Sequence, residues 1–104
     1  MPEHFHHPGE LLPPLQAAQR SDAAEVLRAW IVGNGLQVTF APMAFGGPSS
    51  WGLLLVDVAR HVARACEQEG HGSYVNNLDG IRKMIEDEFE HPTDLGNTEE
   101  ARRQ

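Results

Sequence analysis

Asp57 and His61 stand four residues apart in WGLLLVDVARHVARAC (51–66), with Arg60 and Arg64 close by. On a helix such residues share a face, so the carboxylate can orient the imidazole or raise its pKa. The chemistry on offer is a general base held by a carboxylate. It also needs a nucleophile or a substrate pocket, and the sequence names neither. The plainer reading is an ion-pair cluster at the edge of a core, with Asp57 satisfied by Arg60 or Arg64. Asp57 and His61 are the catalytic candidates, and no catalytic residue is assigned.

Metal chemistry has two candidate sites. His4, His6 and His7 cluster in MPEHFHHPGELLPP (1–14). Removal of Met1 before Pro2 would leave Pro2-Glu3-His4 as a free N-terminus. An amine, two amides that can deprotonate and an imidazole at position three form a square-planar N4 chelate, suited to Cu(II) or Ni(II). The plain alternative is a polar arm whose exposed imidazoles bind divalent metals without a biological role. The second candidate is Asp87 with His91, again four apart. Two ligands make at most half of a metal site. Glu86, Asp87, Glu88, Glu90 and Asp94 crowd the same helix end, where the helix dipole disfavours negative charge. Arg28, Arg82, Lys83 or a second chain are the available compensating cations, and a solvated acidic face is the plain reading.

Two further features carry less. Gly46-Gly47-Pro48-Ser49-Ser50 opens a helix but lacks the lysine and glycine spacing of a phosphate loop, so it reads as a turn and cap. Cys66 lies near a helix C-terminus, where the dipole disfavours a thiolate, and reads as a packing residue.

These side chains must be carried by a small number of elements. The chain has 104 residues, enough for one domain with a thin core. Its formal charge of −7 sets it against the phosphate backbone of nucleic acid and against anionic membrane surfaces. One cysteine excludes an internal disulfide. There is no basic segment followed by an apolar run at the start, and no stretch of 18 apolar residues. A soluble cytoplasmic protein without a membrane partner is expected.

The fold class expected is α+β. Prolines make residues 1–14 a flexible arm, with Leu11, Leu12 and Leu15 available to anchor it. Residues 15–92 form the domain, and 93–104 a polar tail. Within 15–23 the chain has room for one loose helical turn. AEVLRAWI fits either a helix face or a strand, but Gly33-Asn34-Gly35 follows at once, and Leu36, Val38 and Phe40 then alternate with Gln37 and Thr39. This pattern predicts an antiparallel hairpin over about 25–32 and 36–41. Helices are predicted over about 49–69 and 74–90. Trp51, Leu55, Val58, Val62 and Ala65 form the stripe of the first. Tyr74, Leu78, Ile81, Ile85 and Phe89 form that of the second. The hairpin is expected to pack on two antiparallel helices whose stripes face each other.

The segments EVLRAWI (25–31), WGLLLVDVARHVARA (51–65) and HPTD (91–94) occur in an order and spacing that resembles a small, uncharacterised proteobacterial family known only as a domain of unknown function. The resemblance covers most of 22–94 and excludes the arm. It implies the element order hairpin, helix, helix, and no catalytic residue or cofactor.

The function read from these features is a small interaction module without enzymatic activity, requiring no cofactor. It would act as a homodimer through its hairpin, with a protein partner the sequence does not name. A lone hairpin is marginal and leaves two open edges, and Arg28 is its only basic residue. The alternative is a protein that responds to divalent metal through the histidine arm.

Overall fold

The computed structural model describes residues 7–93 and the backbone of 97–100. The order of elements is α1 (Leu15–Gln19), β1 (Leu27–Val32), β2 (Gly35–Phe40), α2 (Trp51–Gln68), α3 (Tyr74–Glu90) and β3 (Asn97–Glu100). The arrangement is α+β, as the sequence predicts. Contacts divide the chain into a unit containing residues 1–41 and 98–104 and a helical unit containing 42–97.

In the first unit, β1 and β2 pair antiparallel, with Leu27 opposite Phe40 and Val32 opposite Gly35. The alternation of AEVLRAWI therefore resolves as strand. The loop is two residues, Gly33-Asn34. Gly33 has φ of 62°, and among the described residues none other than glycine has positive φ. Positive φ at the first loop position alone fits a type II′ turn, whose twist matches the flanking strands. Leu27, Ala29, Ile31, Leu36, Val38 and Phe40 share one face of the ribbon. β3 lies beside β2, giving the sheet order β1-β2-β3. The sequence reading of 93–104 as tail did not anticipate this strand. NTEE has little strand propensity of its own, but the open edge of β2 offers it a ladder of backbone partners.

Leu11, Leu12 and Leu15 do not anchor the arm; their exposures are 90%, 91% and 72%. Contact with β1 is made instead by His7 and Glu10. The His7 ring meets Trp30 edge-on at 5.1 Å, and Glu10 pairs with Arg28 at 2.7 Å.

The helical unit starts with a loop that holds the first aromatic of α2. The Trp51 indole N–H donates to the Pro42 carbonyl at 3.0 Å, and Phe45 packs edge-on against its ring at 5.2 Å. Pro48 begins a 3₁₀ turn, Pro48–Ser50, that leads into α2. Its missing N–H costs nothing at a helix start. α2 is followed by Gly70, whose φ of 88° reverses the chain. The Gly70 N–H donates to the Glu67 carbonyl and the His71 N–H to the Cys66 carbonyl, which satisfies the last helical acceptors. Ser73 caps α3 by accepting from the Asn76 N–H at 3.1 Å.

α3 folds back on α2, and the line of contact corrects the sequence expectation. Ala63 is fully buried, and Ala59 and Cys66 beside it are half-buried. The stripe expected to face α3 is left open: Leu55 is 52% exposed and Val58 and Val62 46% each. Small side chains let two helix backbones approach closely, so α3 takes the alanine face. The larger residues are turned aside.

Candidate functional site

Asp57 and His61 both lie on exposed positions of α2. Asp57 pairs with Arg60 at 3.6 Å, both side chains more than half exposed. A depression in the first unit is lined by Gly9, Glu10, Glu25, Arg28 and Trp30 among others, and neither Asp57 nor His61 lines it. Arg64 does not join Asp57. Its guanidinium lies 4.4 Å above the Tyr74 ring of α3, a cation–π contact.

Of the histidine arm, His4 and His6 lie outside the described residues. The His7 Nδ1 accepts from the Gly9 N–H at 2.9 Å, so one of its two nitrogens is engaged in a local turn. At the end of α3, the His91 backbone N–H donates to the Asp87 carbonyl at 2.7 Å, and both side chains are exposed. Among the described residues no three His, Cys, Asp or Glu side chains converge as a metal ligand set would.

Of the acidic residues near the end of α3, Glu86 is paired from within the helix, as is Asp79 further back. Arg82 donates to Asp79 at 2.6 Å and to Glu86 at 2.9 Å, and Lys83 pairs with Asp79 at 3.1 Å. These bonds, that of Arg82 first and that of Lys83 second, lower the Asp79 pKa from its ordinary value. Asp79 and then Glu86 raise that of Arg82. Glu88 accepts from both the backbone N–H and the hydroxyl of Thr93, which ties the segment after the helix. On β1, Arg28 is held between Glu25 at 3.0 Å and Glu10 at 2.7 Å. The hydrogen bond that Arg28 donates to Glu25 is the main cause of its raised pKa.

Three contacts at the helix junction were not read from the sequence. The Asn77 amide donates to the Ala63 carbonyl at 3.2 Å across the two helices. Glu67 accepts from the Tyr74 backbone N–H at 3.0 Å, an orphan donor of α3. Arg64 covers Tyr74. Together they fix the angle at which α3 leaves α2.

What remains on the helical unit is an apolar surface. Besides Leu55, Val58 and Val62, exposure reaches 73% at Leu53, 62% at Met84 and 85% at Phe89. Scattered apolar residues are ordinary on a protein surface, but a continuous row along one helix is a docking feature. The arrangement can bind a complementary apolar surface. No helix among the described residues is long and apolar enough to cross a membrane.

The profile of a family described as domain of unknown function DUF5076 matches residues 10–93, and the chain belongs to that family. A solved structure from the photosynthetic bacterium Rhodopseudomonas palustrus CGA009, described provisionally as a pyruvate dehydrogenase, is 41% identical with a TM-score of 0.69. The match covers 96% of this chain and 100% of that one. No curated protein matches the chain.

Proposed function

We propose that the protein is a non-enzymatic interaction module of the cytoplasm that works as a homodimer. The observation that carries the reading is the open row Leu55, Val58 and Val62 along α2. Half of each side chain remains to be covered, worth about 1 kcal/mol apiece. Association itself costs at least ~4 kcal/mol. Such a row supports reversible binding and leaves room for further contacts elsewhere.

The hairpin supplies one route to a second copy. β3 lies beside β2, so β1 is an edge strand of the sheet. The bond from the Ala41 N–H to the Val26 carbonyl sets the alternation along the ladder, and this puts the Ala29 N–H on the outer edge. Pairing of two β1 strands would join two sheets.

The test is affinity capture from the native host with mass spectrometry, together with an assay of the purified chain for pyruvate-dependent reduction of an electron acceptor. The interaction reading expects self-association, specific co-purifying protein and no turnover. Turnover that scales with the purified chain would replace it with the activity suggested by the Rhodopseudomonas description.

A further inference from the structure

We infer that the turn at residues 7–10 guards the outer edge of β1, and that β1 of a second copy pairs on that edge once the turn lifts away. This rests on the hairpin route of the interaction-module reading and assigns its register and its control.

The turn lies along the edge, not on a face of the ribbon. The depression beside it is lined by residues 9–11 on one side and by Glu25 and residues 27–30 on the other. Leu27 and Ala29 belong to one face of β1, Arg28 and Trp30 to the other, and no residue of β2 lines the depression. A groove with that lining follows the outer edge. The turn covers this edge without extending the sheet. Pro8 has no N–H, the Gly9 N–H donates to the His7 Nδ1, and the Glu10 N–H donates to the His7 carbonyl. Among the described residues no backbone hydrogen bond joins the turn to β1. Side chains hold it instead: His7 meets Trp30 at 5.1 Å, and Glu10, its side chain only 18% exposed, pairs with Arg28 at 2.7 Å. A cover of this kind blocks an edge and can also leave it.

The edge beneath fits a second copy. The ladder to β2 leaves the N–H and carbonyl groups of Leu27, Ala29 and Ile31 pointing outward. Two β1 strands running opposite ways about a two-fold axis at Ala29 set Ala29 against Ala29 of the second copy, Leu27 against its Ile31, and Arg28 against its Trp30. The outward groups then bond in pairs and close the edge of the sheet that β3 leaves open. Arg28 and Trp30 become cross-strand neighbours on one face, a cation–π pairing made twice by the symmetry. These are the two side chains the turn holds, through Glu10 and His7. An added strand lies about 4.8 Å from β1, in the space the turn fills. Guard and second copy therefore exclude each other.

The test is made on the full chain carrying His7→Ala and Glu10→Lys, which removes both contacts of the turn and leaves the strand unchanged. Sedimentation equilibrium should show self-association at least about tenfold tighter than in the wild type. Amide hydrogen exchange supplies the readout specific to the edge. The Ala29 N–H should exchange fast in the wild type at every concentration, and should slow in the variant as concentration rises. Adding Ala29→Pro should remove the gain, because the N–H it deletes points away from β2 and the hairpin keeps its ladder. An unchanged or weaker association in the variant, with Ala29 exchange as in the wild type, overturns the inference. So does a gain that survives Ala29→Pro. If the wild type self-associates and the variant does so no more tightly, the guard fails and the interaction reading stands. If neither chain self-associates up to about 100 µM, the guard and the homodimer reading both fail.

Discussion

Ala63 decides how closely α3 can approach α2, and its substitution tests the fold where it is most constrained. The side chain has no accessible surface, and its carbonyl accepts the Asn77 amide at 3.2 Å. Ala63→Leu adds three carbons where there is no open space. Overpacking of this kind costs about 1–3 kcal/mol, and displacing Asn77 adds about 1 kcal/mol for the lost hydrogen bond. Ala63→Gly fails in the opposite direction, by about 1 kcal/mol of helix propensity and about 0.8 kcal/mol for the buried methyl. Thermal unfolding followed by circular dichroism at 222 nm reads both. At roughly 4–8 °C per kcal/mol, Leu should lower the midpoint by about 8–30 °C and Gly by about 7–15 °C. An unchanged midpoint for Leu, with Gly costing only its propensity, would show that Ala63 is not wedged between the helices and would refute this packing.

Gly80→Ala should raise the midpoint by about 2–8 °C, since a Cβ built there meets nothing within 4 Å and alanine restricts the unfolded chain and favours helix. Gly33→Ala should destabilise the hairpin by about 1 kcal/mol, because φ of 62° is strained for any side chain. Loss of cross-strand nuclear Overhauser contacts between Ile31 and Leu36 is the readout. Asp79 has a folded pKa below its ordinary value of 3.8, so its contribution is present above that pH and is lost as the pH falls through the lowered value. An acid titration of helix content should therefore show a loss below about pH 4 that Asp79→Asn reduces.

The order hairpin, helix, helix was legible because its punctuation is local. Gly33-Asn34 fixes the turn, Gly70 and Ser73 separate the helices, and α3 begins and ends close to where the periodicity places it. What was not legible is which face of α2 meets α3. Hydrophobicity marks the Leu55, Val58 and Val62 row as the face that wants burial. It does not say by what, and the backbone approach chosen by α3 uses Ala59 and Ala63 instead. β3 was missed for a related reason: the edge of β2, not the NTEE sequence, makes it a strand. The polar candidates divide the same way. The local pairing of Asp57 with Arg60 follows from spacing, whereas the reach of Asn77 to Ala63 depends on a tertiary angle no spacing reveals.

Sedimentation equilibrium of the intact chain tests the central claim most directly, run from about 1 to about 100 µM, the range in which a reversible complex of this kind dissociates. The account predicts a mass that rises with concentration from the 11.5 kDa of one chain toward twice that value, and a dimer that Val58→Glu abolishes while helix content is kept. A single 11.5 kDa species at every concentration would contradict it.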